Sequence, residues 1–409
     1  MLIKYSVLLS RFFWVFMFSS ILLFSTSIRA EDCVPVGEVL LPGKDKKSSF
    51  VELIKAHSKA RIVLLGEHHD NMEHHRWQLQ MMTGLHALNE NVVLGFEMFP
   101  RQVQPVLDKW VAGELTEIEF LKQVDWGEYW SFDEQLYMPM LHFARMNQIP
   151  IYALNVDRGL IREVGQKGWK ETSSALKEGI SDPAPPSEGY RQMLASVFMQ
   201  HGQEHGNGEP EAQVAKAMKM PAFTRFVESQ QVWDRAMAEA IANAAKTHPK
   251  AQLIAVLGSG HMMYRFGVPE QLDDLDMPKP SVLIPWDPEF KCDYIQNDFA
   301  DAVIGLKAIR LSEQQEERER PKLGVYLDLS EQGVKIVNIV PKSIAEKIEM
   351  RQDDLIVSMA GHQISEVQEV IDIVKKTQFG TWLPISVQRG DDVIELVAKF
   401  PPKEQEKIK

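Results

Sequence analysis

Two motifs of one shape stand about two hundred residues apart, and each closes an apolar run. The first is Arg61-Ile-Val-Leu-Leu-Gly66-Glu67-His68-His69, and the second is Leu253-Ile-Ala-Val-Leu-Gly258-Ser259-Gly260-His261. Each reads as a buried strand, then glycine, two residues and histidine. A glycine at the carboxyl end of a parallel strand permits a tight turn, and that edge is where open α/β sheets place ligands. Two histidines delivered to one edge, with Glu67 beside the first, define a candidate site.

The rest of the first region fits such a sheet. Apolar runs at 62–65, 92–96, 149–154, 253–257 and 282–284 have the length of strands, and several are apolar on both faces. That is the texture of a parallel sheet covered by helices. Segments with a 3.6-residue apolar period separate the runs, at 69–88, 103–111, 114–124, 132–146, 159–165 and 223–245. The order predicts an α/β fold, a mostly parallel sheet flanked by helices. The stretch from about 173 to 219 contains Asp182-Pro-Ala-Pro-Pro186 and a Gly/His/Glu-rich run at 200–210. It reads as a helical insertion over the sheet edge.

The start of the chain does not belong to this pattern. Lys4 and Arg11 precede a mostly apolar run at 12–24, and the segment ends at Ala30. This predicts a signal peptide cut after Ala30 and export to the periplasm or cell envelope; an uncleaved anchor is the competing reading. Ile28-Arg29-Ala30-Glu31-Asp32-Cys33 is a poor lipobox, because Asp32 stands where a small residue is expected. Loss of residues 1–30 removes three positive charges and takes the formal charge from −12 to −15. So acidic a chain has no electrostatic footprint for nucleic acid. Its two cysteines, Cys33 and Cys292, can pair in an exported protein and tie the N-terminal extension to the end of the first domain. Two free buried thiols are the alternative.

The layout that follows has an α/β domain at 31–300 and a charged linker at 301–320. A compact β-rich domain at 321–401 and a short tail at 402–409 complete it. The β-rich domain is predicted to have strands at 322–327, 333–339, 354–359, 383–388 and 394–398, with helices at 344–350 and 366–376.

The chemistry centres on Glu67, His69, Glu97 and His261. Glu97, in Gly95-Phe96-Glu97-Met98, is an acid at the end of an apolar strand. If the strands are parallel neighbours, all four side chains converge. Two carboxylates and two imidazoles suit a divalent Zn, Mn or Fe ion, one carboxylate remaining as general base. That set would make a metal-dependent hydrolase, a peptidase or esterase. Alternatively the four groups hydrogen-bond one another and close the sheet edge. His74 and His75 read as exposed or capping residues.

Arg101 follows the second strand, and Arg158 follows the third in Asn155-Val-Asp157-Arg158. Both suit a carboxylate or phosphate ligand, or an internal salt bridge with Glu67, Glu97 or Asp157. In the insertion, a helix over 190–201 places Tyr190, Leu194, Val197 and His201 on one face, near Met193 and Met199. Tyr and His are types of haem ligand and a Met-rich face suits a porphyrin, although a core helix with a buried tyrosine has the same pattern. No His-Glu-x-x-His motif, third Rossmann glycine or Gly-x-Ser-x-Gly elbow accompanies these residues.

With these residues in place, the first domain resembles the ChaN-like haem-binding uptake proteins, relatives of the TIKI peptidases, TraB proteins and erythromycin esterases. The resemblance covers nearly all of 50–290. It rests on Gly66-Glu67-His68-His69, Phe96-Glu97-Met98-Phe99-Pro100-Arg101, Ala153-Leu154-Asn155, Gln231-Val-Trp233-Asp234-Arg-Ala-Met237 and Gly258-Ser-Gly260-His261. It implies haem binding for iron acquisition at the envelope, with a tyrosine haem ligand, for which Tyr190 is the candidate. In the wider superfamily, the positions of Glu67, His69, Glu97 and His261 build a metal-dependent hydrolytic site.

The second domain resembles a bacterial PDZ domain through Pro321-Lys-Leu-Gly324-Val, Ser343-Ile-Ala345, Asp354-Leu-Ile356, Gly361 and Arg389-Gly390. Lys342, Ile348, Glu349 and Asp353 depart from the small residues usual there. The resemblance implies a groove for an envelope protein or a C-terminal peptide. A homodimer is a further partner compatible with this reading.

Overall fold

The computed structural model describes residues 33–44, 46–201, 210–288, 290, 292–309, 321–330 and 332–402. The leader at 1–30, the linker at 311–320, the tail from 403 and most of the Gly/His/Glu-rich run lie outside the described residues.

The first sheet has eight strands. They are β1 (Val39–Leu41), β2 (Lys46–Ser48), β3 (Ile62–Glu67), β4 (Val92–Pro100), β5 (Ile151–Asn155), β6 (Gln252–Gly258), β7 (Ser281–Trp286) and β8 (Ala302–Gly305). Their order is β2-β1-β8-β7-β3-β6-β4-β5. The six strands from β8 to β5 are parallel, and β1 and β2 pair antiparallel at the outer edge. The five apolar runs foreseen from the sequence are β3 to β7. The three short outer strands were not foreseen, because three or four residues carry too little alternation to stand out. β8 lies in the segment read as linker, yet its four residues are buried in the sheet.

Period-two alternation divides the core. Val63, Leu65, Leu94, Phe96, Ile254 and Val256 face one helical layer. Ile62, Leu64, Val93, Leu253, Ala255 and Leu257 face the other. The first layer contains the helices Phe50–His57, Met72–Leu88, Gln104–Val111 and Met138–Met146. The second is dominated by the long helix Pro221–Thr247, with Val268–Asp274 beside it. The insertion forms the helices Glu188–His201 and Pro210–Ala217. A disulfide joins Cys33 to Cys292, so the pairing alternative holds. Among the described residues no helix is long and apolar enough to cross a membrane.

The C-terminal region is a separate antiparallel sheet, β14-β13-β11-β10-β9 with β12 beside β11. Its strands are β9 (Val325–Ser330), β10 (Gly333–Ile339), β11 (Leu355–Met359), β12 (His362–Gln363), β13 (Trp382–Arg389) and β14 (Asp392–Lys399). β9 is an edge strand, and the helix Val367–Lys376 packs against the same core. Arg389 donates Nε to Asp354 Oδ1 at 2.7 Å and Nη2 to Asp354 Oδ2 at 2.8 Å. This two-pronged pair locks the start of β11 to the end of β13. Three of the four departures noted from the sequence, Lys342, Glu349 and Asp353, have φ of 63°, 61° and 70°. Glycine would adopt that left-handed backbone without steric cost.

Candidate functional site

β6 lies between β3 and β4, so the carboxyl ends of these three strands meet. Glu67 at the end of β3 is in register with Gly258 at the end of β6. Glu97 of β4 reaches over β6, and its Oε2 accepts the Gly258 N–H at 2.6 Å. A side chain at Gly258 would place its Cβ 3.2 Å from His69 Nε2 and 3.0 Å from His69 Cε1. The glycine therefore serves close packing: it lets the His69 ring lie against the end of β6. One helical turn, Ser259–His261, then carries His261 to the same edge.

Each histidine is backed by a buried acid, and each acid by a buried tyrosine. His69 Nδ1 lies 2.7 Å from Glu67 Oε1, which also accepts the Tyr137 hydroxyl at 2.8 Å. Gln78 donates to Glu67 Oε2 at 3.0 Å. His261 Nδ1 lies 2.6 Å from Asp234 Oδ1, while Tyr190 donates to Asp234 Oδ2 at 2.6 Å. Glu97 joins the two arms: its Oε1 is 3.6 Å from His261 Nε2, and its charge also acts on His69.

The electrostatics follow from this pairing. Burial opposes charge on Glu67, but the imidazoles of His75 and His69 and the hydrogen bonds from His69 and Gln78 prevail and bring it down to about 2. Burial likewise opposes the His69 cation, yet its bond to Glu67 and the charges of Glu97 and Glu67 raise it to about 9. His261 is buried too, and Glu97 and Asp234 raise it. Both shifts favour the charged forms of the Glu67–His69 pair.

The four residues converge, and both histidines turn Nδ1 to a carboxylate, a pairing that also orients metal-ligating imidazoles. Among the described residues no group of three or more His, Cys, Asp or Glu is disposed to hold a metal ion. The Zn, Mn or Fe ion expected at Glu67, His69, Glu97 and His261 is not supported.

The other candidates separate. Tyr190 is on the predicted helix with Leu194, but it is 1% exposed and its hydroxyl is committed to Asp234. In this arrangement it positions an acid, a role the sequence did not suggest. His201 ends its helix, and its side chain lies outside the described residues. Arg101 turns inward, donating to Ala236 O at 2.7 Å and lying 3.7 Å from Glu239, a partner the sequence did not suggest. Arg158 stays at the surface, donating to Glu128 O at 3.0 Å and Tyr129 O at 2.6 Å. His74 and His75 are buried, contrary to the exposed reading. His75 Nε2 faces His69 O at 3.1 Å, and His74 Nε2 lies 3.0 Å from Asp287.

Beside the charged cluster is a cavity of about 390 Å³. Met98, Trp130, Val156, Ile161 and Trp233 give it apolar walls, and Tyr129, Asn155, Arg158 and Arg162 are its polar lining. Two of the walls touch the cluster. Trp130 meets the His69 ring at 4.9 Å, and Trp233 meets the His261 ring at 5.3 Å.

Sequence reasoning assigned no role to Asp234, Tyr137 or Gln78. Asp234 did leave a signal. It stands seven residues after Val227 and seven before Ile241, on the buried face of the long helix. An acid on an apolar face calls for a buried partner.

Residues 53–272 match the family model described as haem-binding uptake, Tiki superfamily, ChaN. Residues 321–399 match the model of the PDZ domain. No curated protein matches the chain. Among solved structures, ChaN of Campylobacter jejuni, described with cofacial haem binding, is 20% identical with a TM-score of 0.50; the match covers 65% of this chain and 95% of that one. The HtrA3 PDZ domain bound to a phage-derived ligand is 17% identical over 20% of this chain and 84% of its own, with a TM-score of 0.18. A serine endoprotease from Yersinia pestis is 21% identical over 24% of this chain and 38% of its own, with a TM-score of 0.20. The family model spans more than half of the 409 residues, and the chain belongs to the ChaN haem-binding uptake family of the Tiki superfamily, with a PDZ domain following.

Proposed function

We propose that this protein is an exported haem-binding protein of the cell envelope that serves haem uptake or iron acquisition, with its PDZ domain as the arm for an envelope protein or C-terminal peptide. The observation that carries the reading is the family match over 53–272. The cavity supports it. Its 390 Å³ falls within the roughly 300–1,000 Å³ usual for small-molecule sites. Indole and thioether walls suit a flat apolar macrocycle, and arginines suit its carboxylates. The residues present thus fit haem, whose iron would supply the coordination chemistry when bound.

Export is supported by the leader pattern at 1–30 and by the Cys33–Cys292 disulfide, a bond that persists in oxidising compartments. The PDZ arm is supported by the open edge of β9 alongside the helix Val367–Lys376. An extended peptide can join such an edge as a further strand.

The test is a haem titration of purified protein followed by absorbance. Saturable binding with a shifted Soret band is expected. Absence of any shift at micromolar haem, with the protein folded by circular dichroism, would overturn the reading.

A further inference from the structure

We propose that a second cavity, between Arg101 and the loop at 175–178, binds an aliphatic α-amino acid as its zwitterion. Arg101 takes the carboxylate, Asp157 and Glu178 take the ammonium, and Leu160 and Leu176 cover the side chain. This site is independent of haem binding.

The cavity has a volume of about 430 Å³ and is lined by Arg101, Asp157, Leu160, Ala175, Leu176 and Glu178. It shares no lining residue with the cavity at Trp130 and Trp233. Arg101 follows β4 and Asp157 follows β5, and these strands are parallel neighbours. The cavity therefore opens at the carboxyl edge of the sheet, where open α/β folds place ligands.

Arg101 has donors to spare. A guanidinium carries five N–H groups. That of Arg101 makes one hydrogen bond, from Nη2 to Ala236 O at 2.7 Å, and Glu239 lies 3.7 Å away, beyond hydrogen-bond distance. Its Nε is buried and has no hydrogen-bond partner. An unpaired buried donor is uncommon and calls for an acceptor. A carboxylate can accept from such a fork through both oxygens.

The opposite charge is supplied by two acids. Asp157 uses Oδ1 to cap the helix Arg158–Lys167, accepting the Gly159 N–H at 2.7 Å. Glu178 Oε1 accepts the Asp157 N–H at 2.9 Å and so ties the loop to the end of β5. Among the described residues neither carboxylate is paired with a cation. Glu178 holds a left-handed φ of 50°. Strain of this kind persists where the surroundings enforce it, and ligand clamps are such places.

These groups select among ligand classes. A phosphate or a dicarboxylate would be repelled by the two acids, and a simple amine would leave Arg101 unpaired. A zwitterion satisfies both poles. Leu176 is 43% exposed beside the buried Leu160, and a short aliphatic side chain would cover it.

The experiment is isothermal titration calorimetry of the purified full chain at pH 7 with leucine, leucinamide and 4-methylpentanoate. The amide lacks the carboxylate and the acid lacks the ammonium. Leucine should bind saturably near or below about 1 mM, and each analogue at least about tenfold more weakly. Arg101→Gln should abolish the preference for leucine over leucinamide. Glu178→Gln, which keeps an acceptor for the Asp157 N–H, should shrink the preference for leucine over 4-methylpentanoate. Circular dichroism checks that both variants fold. If Arg101→Gln does not fold, Glu178→Gln and the three ligands on the wild type still decide. No leucine binding by the wild type at about 10 mM, equal binding of leucine and leucinamide, or a wild-type preference in Glu178→Gln would overturn the site.

Discussion

Glu67→Ala is expected to lower the unfolding free energy of the ChaN-like domain by about 3–5 kcal/mol, the usual cost of breaking a buried ion pair by deleting one partner. Glu67 is 3% exposed and receives hydrogen bonds from Tyr137 and Gln78 as well as the His69 imidazole. Deleting it leaves a buried phenol and a cation without their acceptor, while the Gln78 amide keeps Gly66 O at 3.0 Å. Urea denaturation followed by tryptophan fluorescence measures the loss, since Trp382 is the only tryptophan in the PDZ domain. A change below 1 kcal/mol would show that the cluster is already solvated.

The same pair predicts a pH profile. His69 in the folded state, at about 9, lies above its ordinary 6.5. Its contribution is therefore complete below about pH 6.5 and is lost as pH rises through 9. Glu67, at about 2, lies below its ordinary 4.5, so its contribution is complete above about 4.5 and is lost as pH falls through 2. These are two views of one pair and do not add. Stability should plateau between about pH 4.5 and 6.5 and decline by on the order of 2–3 kcal/mol toward pH 9. His69→Gln should flatten the alkaline limb, and a limb unchanged in that variant would assign the slope to other groups.

Removal of the Cys33–Cys292 bond has the second large effect. The bond closes a loop spanning 259 positions of sequence. Such a crosslink restricts the unfolded chain strongly, and typical native disulfides contribute about 2–4 kcal/mol. A Cys33→Ala, Cys292→Ala double variant should lose about that much, again by urea denaturation. The loss should fall on the ChaN-like domain, with the PDZ transition unmoved in far-ultraviolet circular dichroism. If the double variant matches the wild type, the N-terminal extension is held by its other contacts. These include Val34, buried with Trp286 and Phe299.

Legibility in the sequence followed the strength of the local pattern. The five central strands and the paired Gly-x-x-His turns were readable, since each combines a long apolar run with a glycine stop. The convergence of Glu67, His69, Glu97 and His261 was readable as well, because each follows an apolar run at the sheet edge, although β4 continues past Glu97 to Pro100. Their chemistry was not. What backs each imidazole depends on side chains from elsewhere: Asp234 comes from the long helix and Tyr137 from the turn before Met138–Met146. Tyr190 shows the same limit from the other side. Its helical face was readable, but not what that face meets. Tyr129 and Arg162 had no signal, because a half-buried tyrosine and a surface arginine are ordinary in any sequence.

The pairing of β1 with β8 has a topological consequence. Val39 opposes Ile304, so the first and last strands of the ChaN-like fold lie side by side. During synthesis β1 can pair with β2 at once, but more than 250 residues must follow before β8, its other neighbour, exists. The completed domain, however, has adjoining ends. A short peptide could join them, and a circularly permuted chain opened in a surface loop should retain the barrel-free sheet and its cavity while carrying the PDZ domain from a new exit point.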